Sequence, residues 1–171
     1  VKSLVLIAPG YFGMGWPMYN LCIDNTFSKL GRIEKERLFK LYPKKDSISN
    51  SEKSELKKLQ RLPYIFDKSK IDSLMPLLEG NNNEKTFRLM LYSIMDYEIN
   101  LKKDLQKILS PINLICGRQD FLTYVAYELK LANPKINLHW IDKSGHFPMH
   151  ENPKEFYSIM DKILTPTKNY R

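Results

Sequence analysis

Two short apolar runs constrain this chain most. Residues 1–8 read Val1-Lys2-Ser3-Leu4-Val5-Leu6-Ile7-Ala8 and stop at Pro9-Gly10, while residues 111–117 read Pro111-Ile112-Asn113-Leu114-Ile115-Cys116-Gly117. Nearly continuous, β-branched runs bounded by turn residues are how strands covered on both faces read, as in a parallel sheet. Behind the second run, residues 123–132 carry Val125, Ala126, Leu129 and Ala132 at helical spacing, and residues 136–141 form another strand-like run. A closing amphipathic helix is expected over 153–164, with Phe156, Ile159, Met160 and Ile163 on one side. Strand, helix, strand, helix with short connections is the pattern of a parallel α/β sheet.

Between the two runs the pattern is helical. Residues 10–20 are rich in glycine and aromatics and read as loop, after which helices extend from about Asp24 to Leu109. Ser49-Asn50-Ser51-Glu52 and Asn81-Asn82-Asn83-Glu84 each place a Glu three residues after a capping side chain. Leu56, Leu59 and Leu62 supply an apolar stripe after the first, and Phe87, Leu91, Ile94 and Met95 after the second. Pro43, Pro63, Pro76 and Gly80 punctuate the stretch, which predicts four or five short helices.

Composition excludes several classes. With 171 residues, 43% hydrophobic and 27% charged, the chain has enough apolar material for a folded core and is unlike a disordered segment. The longest apolar run at the start, Leu4-Val5-Leu6-Ile7-Ala8, is far short of the roughly 20 residues of a membrane span. It also lacks the basic leader and small-residue cleavage site of a secretory signal. The net charge of +8 is spread over helices such as Ser51-Glu52-Lys53-Ser54-Glu55-Leu56-Lys57-Lys58, and no nucleic-acid-binding signature accompanies it. Neither nucleic acid nor membrane is therefore an expected partner. Cys22 and Cys116 are far apart and outside any metal-spaced set, so a reducing, cytoplasmic setting is the expectation. His146 and His150 are spaced as in HxxxH, but Pro148 intervenes and no third ligand is evident, so no metal is expected.

The chemistry-bearing residues follow the last two strands. Gly117-Arg118-Gln119-Asp120 puts an acid on one loop, and Ser144-Gly145-His146-Phe147-Pro148 puts a histidine on the next. In open α/β sheets functional groups gather beyond the carboxyl ends of strands. A carboxylate on one imidazole nitrogen fixes the tautomer and leaves the other nitrogen as a base.

These two phrases, with the Glu151-Asn152-Pro153-Lys154-Glu155-Phe156 start of the last helix, resemble the final third of an α/β-hydrolase over residues 112–164. Residues 1–9 are similar to the strand that follows the nucleophile helix in that family, and the helical stretch from about Asn20 to Leu109 matches its cap by position. The resemblance implies a partial α/β-hydrolase fold: core strand and loop over 1–20, helical cap over 21–109, and the C-terminal part of the core over 110–171. It further implies that Asp120 and His146 are the acid and base of a catalytic triad, that no cofactor is needed, and that the bond cut is a small amide or ester. The large helical cap and the phrases Gly-Arg-Gln-Asp and Gly-His-Phe-Pro most resemble proline iminopeptidases and related small-substrate hydrolases; the caps of the peptidases supply acids for a substrate amine. Glu79, Glu84, Asp96 and Glu98 are acids of this cap, and no pair stands out among them. Trp16, in the loop after the first strand, and Phe147, beside the histidine, are the candidates for substrate contact.

One part of the family pattern is missing. No Gly-x-Ser-x-Gly occurs in the chain. The family places its nucleophile and its first five strands before the region matched by Val1, which makes that half, as a separate chain, a candidate partner beside the small-molecule or peptide substrate. The alternative is a non-catalytic binding or assembly module built on a truncated hydrolase fold, joined to a partner through the edge of the first strand.

Overall fold

A computed structural model describes residues 3–10, 15–78, 83–96 and 102–165, with the backbone alone described at 15–19, 84, 87, 94–96 and 102. Three strands, β1 (Leu4–Ile7), β2 (Ile112–Gly117) and β3 (Asn137–Ile141), form one parallel sheet in the order β1-β2-β3. Parallel neighbours require crossover connections. The link from β2 to β3 is α7 (Thr123–Ala132), and the link from β1 to β2 is the helical region.

Every residue of the central strand β2 is buried. Its alternate side chains feed two layers. Ile112, Leu114 and Cys116 pack with Val125, Ala126 and Leu129 of α7, whereas Ile115 packs with Ile141 and with Phe156 of α9 (Pro153–Leu164). Helices thus cover both faces, which is why β2 has no polar face to alternate with its apolar one. Ile159, Met160 and Ile163 of α9 are partly buried against the second layer, on the face expected from their spacing. Ala132 is only partly covered, at the end of α7.

The buried exception in β2 is Asn113, whose amide donates to Ser3 Oγ at 3.0 Å. Its oxygen accepts from Asn137 Nδ2 at 3.3 Å and lies 3.2 Å from His139 Nε2. His139 is therefore half-buried and tied into the sheet, and burial lowers its pKa. Strand β1 departs from the expected two-sided burial: its first three residues are half-buried and Ile7 is exposed. The physical reason is its place at the sheet edge, where among the described residues it pairs with β2 alone.

The helical region holds α1 (Gly15–Ser28), α2 (Arg32–Leu41), α3 (Asn50–Arg61), α4 (Ile71–Leu78), α5 (Glu84–Asp96) and α6 (Lys102–Lys107) among the described residues. Three sequence expectations need correction here. Residues 15–20 are helix rather than loop; Pro17 stands in the first turn of α1, where its missing N–H has no helical partner to lose. Pro76 lies inside α4 instead of ending a helix, and buried Leu74, Met75 and Leu78 hold that short helix against its neighbours. The second capping residue is Asn83, whose Oδ1 accepts from Thr86 N at 3.1 Å, while Asn81 lies outside the described residues.

The first expected cap is present. Ser49 Oγ accepts from Glu52 N at 3.3 Å, and Glu52 Oε2 accepts from Ser49 N at 3.1 Å. This starts α3 and aims Leu56 and Leu59 at Leu30, Leu38 and Leu41. Ser49→Ala is expected to lower stability by about 1 kcal/mol, read as a smaller urea midpoint at unchanged slope.

Candidate active site

Three backbone segments cross at the carboxyl end of β2, and two glycines let them touch. A Cβ on Gly117 would stand 1.9 Å from Gly145 O and 2.5 Å from Ser144 O. A Cβ on Gly145 would stand 2.3 Å from Tyr64 O, in the 3-10 turn Leu62–Tyr64 that follows α3. The acid loop, the histidine loop and this turn therefore stack main chain on main chain. Hydrogen bonds fix the stack: Gln119 N donates to Ser144 O at 3.0 Å, Ser144 N to Gln119 Oε1 at 3.0 Å, and His146 N to Tyr64 O at 2.7 Å.

Asp120 and His146 meet on this platform. Asp120 Oδ2 lies 2.8 Å from His146 Nδ1, and Asp120 Oδ1 accepts from Leu122 N at 3.0 Å. The carboxylate side chain is 3% exposed and the imidazole 21% exposed. An ionised carboxylate only accepts, so a neutral ring in this contact carries its proton on Nδ1 and keeps a lone pair on Nε2. Among the described residues Nε2 has no hydrogen-bond partner. The pair is thus arranged as a base with its orienter.

Aromatic rings surround the imidazole. Tyr64, Phe121 and Phe147 have centroids 5.5, 5.9 and 5.4 Å from that of His146, and Tyr64 meets Phe121 edge-on at 4.9 Å. Such walls limit ring rotation and exclude water, which strengthens the carboxylate–imidazole contact. Phe147 also packs beside the apolar cluster of Ile65, Leu74 and Leu78, so it joins the histidine to the helical region. Trp16 is in the first turn of α1, and its side chain lies outside the described residues. So do the side chains of Glu79, Glu84, Asp96 and Glu98.

Tyr64, Phe121 and Glu151 escaped the sequence reading. Phe121 had a signal, being an aromatic directly after the acid. Tyr64 belongs to no motif. Glu151 stands in α8 (Pro148–Glu151), within a phrase whose resemblance marks a helix start but gives the carboxylate no role. It accepts from Gly145 N at 2.8 Å and from Phe66 N at 2.7 Å. Burial pushes its carboxyl up, opposed by hydrogen bonds from the backbones of Phe66, Gly145 and Phe147.

Tyr64 also lines a cavity of about 240 Å³, with Phe27, Leu38, Tyr42, Leu59 and Pro63 among its other walls. One aromatic side chain is thus shared by an apolar cavity in the helical region and by the imidazole.

The candidate nucleophiles of this chain are engaged elsewhere. Ser144 is fully buried and its hydroxyl donates to Gly145 O at 3.3 Å. Ser3, before β1, donates to Pro111 O at 3.2 Å, beside the start of β2 and away from Asp120. Burial pushes the Cys116 thiol up to about 12, with the Asp120 charge adding to it, and burial raises Cys22 as well. Neither is an activated thiolate. Among the described residues no three His, Cys, Asp or Glu groups stand together as a metal site. Nor is any described helix long and apolar enough to cross a membrane.

No protein-family model matches the chain, and no curated protein sequence matches it. Solved structures do. A serine hydrolase from the polyaromatic-hydrocarbon-degrading bacterium Cycloclasticus zankles is similar with 19% identity and a TM-score of 0.57, over 95% of this chain and 55% of that one. An α/β hydrolase enzyme from a Medee basin deep-sea metagenome library is similar with 18% identity and a TM-score of 0.52, over 98% of this chain and 57% of that one. The chain therefore spans a little over half the length of these structures. A parallel sheet, the helical region between β1 and β2, and this likeness together identify the fold as a partial α/β-hydrolase fold.

Proposed function

We propose that this chain is the C-terminal portion of a serine hydrolase that cuts a small amide or ester, with Asp120 and His146 as acid and base of the triad. The observation that carries the reading is the 2.8 Å contact of buried Asp120 with His146 Nδ1, which leaves Nε2 without a hydrogen-bond partner among the described residues. In the reaction Nε2 takes the proton of a serine hydroxyl as its oxygen attacks the substrate carbonyl. Asp120 balances the imidazolium that results. The same proton passes to the departing amine or alcohol as the acyl–leaving-group bond breaks, and water, deprotonated by Nε2, releases the acyl group. The serine and the oxyanion-binding amides of this reading lie outside residues 1–171, on the same polypeptide or on a partner chain.

N-terminal proline release is the leading substrate class. The small apolar cavity beside Tyr64 is compatible with a pyrrolidine ring. Trp16 and Phe147 are proposed for substrate contact on the sequence resemblance, and Phe147 is not among the described walls of that cavity. The second reading, a binding or assembly module, is favoured by β1, which among the described residues pairs with β2 alone, and by the engaged hydroxyls of Ser3 and Ser144.

Purified native material is tested on proline p-nitroanilide and p-nitrophenyl acetate, with His146→Ala as the comparison. Turnover of the anilide that falls at least about a thousandfold in the variant is the expected result. Turnover of the ester alone moves the substrate class to esters. Equal rates with and without His146 favour the binding module.

A further inference from the structure

Among the described residues, Glu151 is the side chain that bridges the histidine loop and the helical region by accepting main-chain N–H groups from both. Its Oε1 accepts from Gly145 N, the residue before His146, and its Oε2 accepts from Phe66 N, two residues after Tyr64. His146 N meanwhile donates to Tyr64 O, so the two segments are joined by one direct bond and by the carboxylate they share. Hydrogen bonds to a charged acceptor are stronger than neutral ones, and more so when buried. Only an ionised carboxylate offers two acceptor oxygens and no donor to two N–H groups. An amide at this position would turn a donor toward one of them.

We propose that Glu151 is a positioning residue that couples His146 to the helical region, so that the segment from Tyr64 to Phe66 and the imidazole move as one body. The inference rests on the triad reading for its catalytic meaning, because a histidine held this way keeps Nδ1 on Asp120. Its physical content is separate from turnover. Glu155, one turn further along the same stretch, is the comparison: it accepts from Asp142 N at 3.2 Å, at the start of the histidine loop, and from Asn152 Nδ2 at 2.8 Å, and it bonds neither Gly145 nor Phe66.

The test is NMR of the isotope-labelled chain with Glu151→Gln, Glu151→Ala and Glu155→Gln. Amide exchange is followed at Phe66, Gly145 and the β2 strand, together with the downfield Nδ1–H resonance of His146. The expected result is that both Glu151 variants speed exchange at Phe66 and Gly145 together, by about tenfold to a hundredfold. They should also broaden or remove the His146 resonance while β2 stays protected, and Glu155→Gln should leave all four readouts unchanged. Faster exchange at Gly145 with Phe66 unchanged would overturn the coupling. So would an intact His146 resonance in both Glu151 variants, or loss of β2 protection in both, which would make Glu151 a residue of the fold at large. No nucleophile is needed for these measurements. A chain that hydrolyses nothing yet shows the joint exchange effect would contradict the functional reading alone.

Discussion

Asp120→Asn is expected to lower the turnover of the assembled hydrolase by about ten-thousandfold while leaving the fold intact. The replacement is nearly isosteric, and an asparagine oxygen can still accept from Leu122 N as Asp120 Oδ1 does. Its amide nitrogen then faces His146 Nδ1. A donor in that place forces Nδ1 to accept, which moves the ring proton to Nε2 and removes the lone pair that would take a serine proton. The loss should fall on kcat more than on KM, since the carboxylate is buried behind the ring and away from a substrate. The tautomer itself is readable in the isolated chain, where the Nδ1–H resonance of His146 should give way to an Nε2–H resonance. Turnover within about tenfold of wild type would mean that Asp120 is only a turn carboxylate bonded to Leu122 N.

Gly117→Ala is expected to be the most damaging small substitution in the sheet, costing about 3 kcal/mol or more. The new methyl would collide with the carbonyls of Gly145 and Ser144, which are main-chain atoms and cannot swing aside as a side-chain tip could. Relief requires the histidine loop to lift from the acid loop. That movement breaks the Gln119 N to Ser144 O bond and opens the Asp120–His146 contact. Gly10→Ala is the matched control, since a Cβ there meets nothing within 4 Å. It should stay within about 0.5 kcal/mol of wild type. Urea denaturation of the three proteins checks this, with the Gly117 variant showing the early midpoint and weakened His146 Nδ1–H signal.

The parts of the fold that follow local rules were legible in the sequence. The β2 run, α7, the cap of α3 and the start of α9 depend on neighbours within a few residues, and their apolar spacing, capping pattern or proline signal appears directly in the chain. Asp120 and His146 were legible for a related reason, because the ends of adjacent parallel strands are near in space. What escaped depends on partners far along the chain. Glu151 accepts from Phe66, 85 residues away, and nothing local distinguishes it from the exposed acids nearby. Tyr64 is placed by the stacking of its carbonyl against Gly145, which no periodicity encodes. The start of α1 was misread because Gly15-Trp16-Pro17 carries two residues that disfavour helix interiors, and a first turn tolerates both. Burial of β1 was overestimated because an apolar run reports what a strand can be covered by, and not what stands beside it at a sheet edge.

The most direct test of the triad assignment is fluorophosphonate labelling of the natively purified material, with intact mass read for every polypeptide present and His146→Ala run alongside. A fluorophosphonate reports a serine whose oxygen has been made nucleophilic by a neighbouring base. The expected result is one labelled serine, either on a polypeptide that contains this chain or on one that copurifies with it, with labelling lost in the histidine variant. A folded preparation in which no polypeptide is labelled, or in which labelling persists without His146, would contradict the assignment and leave Asp120 and His146 as a structural pair at the end of a parallel sheet.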